Sequence, residues 1–483
     1  MRLRIQRYIA FMSRQQHNTI PDLDPELCRR ARLSRDPRFD GEFYLAVHTT
    51  GIYCRPICAA RAPAEWNVSY FRSAEQASAA GFRPCLRCRP ESAPHSPAWN
   101  GTSTTVERAL QMIRQGALND SSLPELAQRL GIGERYLRKL FERELGVSPT
   151  AVAINQRLLF AKKLLAETAM PVTEIAYAAG FGSVRRFNSA VRSHFKLPPS
   201  ALRHSRKREQ ADAPVRLQLQ YRPPYDWQGV AGFFSRHAVA GVEMADSDQY
   251  QRNIDLNGRP GHIRVWPARG KNALLLELHL PDHSLLMPVV ATVRRMFDLD
   301  ANPAAIQQVL SGDPILAPLL QRFPGIRSPG YSSLYEAAIR GIVGQQISTT
   351  AARNLLSGMA CSDHTGQIVF PGAAAISALD DSHFRMPGRR RDTLRTLSEQ
   401  FHDREDELDI ESLAALHGVG PWTVAMAAMR GSGQPDSFPV TDLGLVKAWT
   451  ALAGDNLPLR ERAMTWRPWR SYAANLLWRS LAL

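Results

Sequence analysis

Residues 413–431 read LAALHGVGPWTVAMAAMRG, and residues 438–445 read FPVTDLGL. The first stretch is patterned as helix, tight turn, helix, with HGVG (417–420) as the turn. Gly418 and Gly420 let the backbone of such a turn approach an anion and aim its dipoles at a phosphate, commonly around a bound monovalent cation. Many helical hairpins share this pattern, so alone it decides little. Asp442, 22 residues beyond Gly420 and after a Pro-containing loop, adds chemistry. An ionised carboxylate placed there can stabilise developing positive charge and can orient or deprotonate a water. The other reading of an aspartate ahead of LGLVKAW is a helix N-cap, and one residue can serve both.

The chain has 483 residues, too many for one core, so several domains are expected. Its net charge is +15. Residues 1–210 carry 33 Lys and Arg against 18 Asp and Glu, while residues 211–483 carry 27 of each. The excess sits wholly in the first part and points there to a polyanion, nucleic acid before membrane. No apolar run approaches the roughly 18 residues a spanning helix needs. Steep salt dependence of DNA binding follows from that charge.

Four of the six cysteines, Cys54, Cys58, Cys85 and Cys88, fall in one short stretch as C-x3-C, 26 residues, then C-x2-C. Thiolates so spaced can converge on one tetrahedral Zn²⁺. Arg55, Arg61, Arg83, Arg87 and Arg89 surround them in sequence, as suits a site that meets phosphate. A purely structural zinc clamp is the other reading, and spacing alone does not choose among the four sulfurs. Cys28 and Cys361 are isolated and read as core residues rather than disulfide partners. The opening MRLRIQRYIAFM has too short an apolar run for a secretory signal, and Met12 is an alternative start. A reducing, cytoplasmic and nucleoid-associated setting is expected.

Organisation follows from pattern. Residues 1–20 are polar and loose, 21–92 form a small α/β zinc unit, and 93–105 are a linker. Residues 106–203 hold a tandem helix-turn-helix repeat, with Gly131 and Gly180 at the turns and recognition helices at 133–144 and 182–195. In these, Arg135, Arg138, Arg185, Arg186 and Asn188 reach bases or phosphates, or else merely solvate a helix face. A charged linker spans 204–214; residues 215–300 read as an α/β subdomain and 301–483 as a helical body. The fold class expected is multidomain, mainly α with α+β parts.

The words TTGIYCRPIC, ARAPAEWNVSYF and AAGFRPCLRCRPE, spread over about 70 residues, resemble the N-terminal domain of the Ada adaptive-response family. That resemblance implies irreversible transfer of a methyl group from a DNA phosphotriester to a zinc cysteine. By motif position the acceptor is Cys54, with Cys58, Cys85 and Cys88 as the other ligands. The loss of one negative charge would then ease DNA binding. IAYAAGF followed by RRFN is similar to the AraC-family signature, and Ada-type proteins carry such a module to activate genes, which makes RNA polymerase a partner.

The hairpin with Asp442 resembles the helix-hairpin-helix DNA glycosylase superfamily. YRPPYDW, GFFSRHAV, MFDLDANP, GIVGQQIS and WRPWRSYAANLLW narrow the likeness to AlkA-type 3-methyladenine DNA glycosylase II over about 215–480. It implies excision of alkylated purines from double-stranded DNA by a catalytic Asp442, in a base pocket drawing on Trp422, Trp469 and Phe233, or with any of these in plain core packing. Pro421-Trp422 fills the place where lyase members carry a Schiff-base lysine, so hydrolysis without strand cleavage is implied. Gln346 stands where a leucine wedge is common, and Met426 and Leu443 where tyrosines are familiar. No PCHR word occurs, so repair of O6-methylguanine is not expected. A monomer is expected.

Overall fold

The computed structural model describes residues 23–88, 90, 104–203, 214–256, 258–402, 404–454 and 458–481. The expected loose N-terminus, Met12, Arg89 and most of both linkers lie outside the described residues; Thr104 already opens the helix Thr104–Arg114. Two compact units form. One takes in the described residues of Met1–Pro90, Ala98–Ile113 and Ser121–Gln156, the other those of Arg114–Asp120 and Arg157–Leu483.

In the first unit β1 (Tyr44–Val47), β2 (Ile52–Cys54), β3 (Val68–Phe71) and β4 (Arg83–Pro84) make a sheet in the order β3-β1-β2-β4. β1 is antiparallel to both neighbours, whereas β2 runs parallel to β4, pairing Tyr53 with Pro84. Cys54 and Cys85 therefore leave adjacent strands at the same end. The first helix-turn-helix follows as Leu123–Arg129 and Glu134–Leu145. Ser122 opens it with a capping box to Glu125. Gly131 makes the turn at φ +69, a left-handed conformation that favours glycine.

The main run of the second unit starts within the helix Pro149–Glu167. It holds the second helix-turn-helix, Val172–Ala178 and Val184–Phe195, with Gly180 at φ +76. It also holds an antiparallel sheet of β5 (Val215–Gln220), β6 (Glu243–Ala245), β7 (Tyr250–Asp255), β8 (Pro260–Pro267) and β9 (Ala273–His279), in the order β5-β9-β8-β7-β6. β5, β8 and β9 fall on VRLQLQY, GHIRVWP and NALLLELHL, within the stretch read as α/β.

β5 is an edge strand, and its open side is closed by side chains. Glu167 Oε2 accepts the Gln218 N–H at 2.9 Å, and Lys163 Nζ donates to Gln218 O at 2.5 Å. Lys163 and Glu167 also pair with each other at 3.0 Å, both buried. Further along, His283 Nδ1 lies 3.0 Å from Glu174 Oε2. The second helix-turn-helix belongs to the same compact unit as the sheet. An edge strand must find hydrogen-bond partners, and the preceding helix supplies them.

The helical body includes Leu334–Val343, Gly388–Gln400, Ile410–Ala415, Pro421–Arg430, Leu443–Ala453 and Arg470–Ser480. Ile339, Ile342, Leu394, Leu397, Leu413 and Ala427 fill its core. A buried ionic cluster joins it to the sheet: Arg252 donates to both Glu336 oxygens at 3.0 and 2.8 Å, and Arg340 bridges Glu336 at 2.8 Å and Glu243 at 2.5 Å. Burial would raise the Glu336 carboxyl, but Arg252 and Arg340 outweigh it and hold it down at about 2.

Candidate active site

The hairpin forms as read. Ile410–Ala415 and Pro421–Arg430 flank a turn in which Gly418 adopts φ +86. Thr393 Oγ1 occupies the space a Cβ on Gly418 would need, and it donates to His417 O at 3.1 Å. Among the described residues, the Gly418 and Gly420 amides donate to no protein acceptor, which leaves them for an outside anion.

Asp442 caps the helix Leu443–Ala453, accepting the Leu445 N–H on Oδ1 at 3.0 Å. Two indoles complete its shell: Trp422 Nε1 donates to Oδ2 at 3.0 Å and Trp478 Nε1 to Oδ1 at 2.9 Å. Three donors, one of them the capping amide, hold this half-buried carboxylate in place. Gly444 makes the approach of Trp478 feasible. A Cβ there would stand 3.2 Å from Trp478 Nε1 and 3.0 Å from Asp442 Oδ1.

Asp442 opens on a cleft of about 1300 Å³. Phe233, Trp422, Met426 and Gln346 line it as well, as does Leu443, 82% exposed. The Arg430 guanidinium lies 4.4 Å over the Phe233 ring and 5.2 Å over that of Trp478. Trp469 does not line this cleft, against expectation. It is buried just ahead of the helix Arg470–Ser480, edge-on to Tyr472 at 5.7 Å. Trp478, nine residues on, is roughly half a turn round the helix and takes the place at the wall. That indole falls within WRPWRSYAANLLW, but only its phase relative to Asn475 and Arg479, which share the cleft, would have singled it out.

Gln346 is exposed in the left-handed region at φ +57. Its neighbour Gln345 ties this loop to the hairpin, donating from Nε2 to Gly418 O at 3.0 Å and Thr423 Oγ1 at 3.1 Å. The loop and the hairpin turn are thereby held in one register.

In the other unit the sulfurs of Cys54, Cys58, Cys85 and Cys88 all lie within 4.8 Å of one another. Zinc with Zn–S bonds of about 2.3 Å sets sulfurs about 3.8 Å apart, so the set fits that ion. The Cys85 N–H donates to Tyr53 O at 2.9 Å and the Arg55 N–H to Cys88 Sγ at 3.3 Å. Cys54 is 7% exposed; Cys58 and Cys88 are half-buried. Arg55 departs from the phosphate-facing role. It is buried on Asp40 and donates to Cys88 O at 3.0 Å, whereas Arg61 and Arg87 are exposed. Cys28 sits in the core with Ala31 and Phe43, and burial pushes its thiol up to about 11. Cys361 is half-buried.

On the helix-turn-helix pair, Arg135, Arg185 and Arg186 are exposed and Asn188 is half-buried. Arg138 pairs with Glu134 one turn back at 2.7 Å. Among the described residues no helix is long and apolar enough to cross a membrane.

Three family models match: the metal-binding domain of Ada over 27–91, a helix-turn-helix domain over 126–205, and the AlkA N-terminal domain over 216–333. A probable bifunctional transcriptional activator/DNA repair enzyme AlkA of Mycobacterium tuberculosis is 39% identical over 484 residues, covering 95% of this chain and 97% of that one. Two partial relatives come from Escherichia coli. DNA-3-methyladenine glycosylase 2 is 28% identical over 277 residues, 54% of this chain and 95% of its own length. The bifunctional transcriptional activator/DNA repair enzyme Ada is 41% identical over 119 residues, 25% of this chain and 32% of its own. The metal-binding, helix-turn-helix and AlkA N-terminal matches follow one another along this chain, and with a relative 39% identical over nearly its whole length the protein belongs to the family of bifunctional AlkA transcriptional activators and DNA repair enzymes.

Proposed function

We propose that the second unit hydrolyses the N-glycosidic bond of alkylated purines such as 3-methyladenine in double-stranded DNA. The observation that carries this is the carboxylate of Asp442, held by Trp422, Trp478 and the Leu445 amide on the wall of the cleft. A cationic alkylated purine departs as a neutral base, keeping the bonding electron pair. Asp442 faces the positive charge left on the sugar, water adds at C1′, and its proton passes to the carboxylate and on to solvent. Trp422 stands where an amine nucleophile would be needed for lyase chemistry, so the product is an intact abasic strand. The free amides of the hairpin hold a DNA phosphate, with a monovalent cation at the turn, and Gln346 fills the gap left by the extruded base. Release of 3-methyladenine from methylated duplex by the full chain, and none by Asp442→Asn, is expected; equal release by both would sink the assignment.

In the first unit Cys54, Cys58, Cys85 and Cys88 would hold zinc, which would keep all four sulfurs as thiolates. Cys54 Sγ takes a methyl group from a DNA phosphotriester: an S–C bond forms, the O–C bond breaks, and the phosphate keeps the pair. With one negative charge fewer, the site repels DNA less, and the tandem helix-turn-helix engages promoter DNA and RNA polymerase. The chain acts as a monomer.

The burial of Cys54 favours one rival, an inert zinc clamp. Mass spectrometry of the whole protein after incubation with methylated DNA separates the two, since one added methyl on Cys54 is expected only if it is the acceptor.

A further inference from the structure

The helix Trp227–His237 delivers His237 to the same cleft that holds Asp442. Its Nδ1 lies 2.8 Å from Phe233 O. A carbonyl only accepts, so Nδ1 carries the proton and Nε2 of the neutral ring is a bare acceptor. Among the described residues Nε2 has no hydrogen-bond partner. Burial, and then the guanidiniums of Arg430, Arg340 and Arg236, push this imidazole down to about 3, so it is neutral at physiological pH.

The ring is also held in place. It packs against Phe233 at 4.4 Å and Tyr331 at 6.4 Å, and its backbone carbonyl accepts from Arg340 Nη1 at 2.8 Å. The neighbouring charged side chains, Arg236, Arg340 and Arg430, offer donors only. A neutral acceptor fixed among donors, on a pocket wall beside the aromatic Phe233, is suited to receiving an N–H from the ligand. It also tolerates the positive charge of an alkylated base, which an imidazolium would repel.

We infer that His237 Nε2 accepts a hydrogen bond from an exocyclic amino group of the extruded base, and so selects alkylated aminopurines over bases whose amino nitrogen has lost its hydrogens. This rests on the glycosylase reading above. The selection is by hydrogen-bond complementarity, since an acceptor facing another acceptor leaves both unpaired in a site shielded from water.

The test compares the full-length wild type, His237→Phe and His237→Gln in single-turnover release of two bases, 3-methyladenine and 1,N6-ethenoadenine. The second keeps the adenine rings but turns N6 into an acceptor. Wild type is expected to prefer 3-methyladenine. His237→Phe removes the acceptor, and His237→Gln adds a donor, so each narrows the ratio of the two rates by about tenfold. The glutamine variant carries the test if the phenylalanine variant does not fold. An unchanged ratio in both variants, or an equal loss on both bases, overturns the inference. Release of neither base by wild type overturns the glycosylase reading itself, and this inference with it.

Discussion

The Trp478 indole N–H donates to Asp442 Oδ1 at 2.9 Å, joining the last helix of the chain to the N-cap of the helix that carries the carboxylate. Trp478 acts through Asp442 by this bond and is a positioning residue. Trp478→Phe keeps an aromatic ring on the wall and deletes the donor. Roughly a tenfold loss in single-turnover base release is expected, with KM less affected. A change confined to KM would mean that the indole serves only to pack the base.

Gly444→Ala tests the same contact from the other side. Its methyl group would stand 3.0 Å from Asp442 Oδ1 and 3.2 Å from Trp478 Nε1, so the carboxylate, the indole or both have to give by a few tenths of an ångström. Alanine is the better helix former by about 1 kcal/mol, so thermal stability should hold or rise while base release falls at least tenfold. Undiminished release would show that the indole contact is dispensable.

Glu167→Ala strips the Gln218 N–H of its acceptor and leaves Lys163 buried without its carboxylate. A loss of about 3 kcal/mol in urea unfolding is expected. Because the second helix-turn-helix and the sheet share one unit, that module and the glycosylase should unfold in one transition. Two separate transitions for these two parts would contradict the shared unit.

Chelation should divide the molecule. A strong zinc chelator removes what holds Cys54, Cys58, Cys85 and Cys88 together, and the small sheet loses its order, since such metal binding is folding energy. Base release should persist, because no cysteine among the described residues lines the cleft. Parallel loss of both would show that the two activities are coupled.

Acid should destabilise the second helix-turn-helix. Burial, then Lys162 and Lys196, lower the His194 imidazole to about 4. The unfolded chain, titrating near 6.5, binds that proton more readily, so the contribution of His194 is present above about 6.5 and lost as pH falls towards 4. His194→Gln should flatten the fall of melting temperature between pH 7 and 4; an unaltered slope would remove His194 as its source.

Much of the site was open to reading because its chemistry is local in sequence. The four cysteines flank strand ends, and the parallel pairing of β2 with β4 brings their two pairs together as their spacing suggested. Gly131, Gly180 and Gly418 sit at positive φ where turns were expected. Trp469 misled because it and Trp478 are the same residue type and differ only in phase on the chain. His237 and Gln345 were passed over because nothing in residue type distinguishes a core histidine or a surface glutamine from one that faces a cleft.

What the sequence by itself determined is the set of modules, the zinc ligands, the hairpin and the catalytic candidate Asp442, since each rests on residues a few positions apart whose backbone geometry is set locally. Only the tertiary structure decided that Trp478 rather than Trp469 meets Asp442, that Arg55 turns inward to Asp40, and that the compact units part within the helix Pro149–Glu167. These depend on which faces meet across long stretches of chain. An edge strand such as β5 takes its partners from whatever packs beside it, and that choice lies in side-chain contacts that no local pattern encodes.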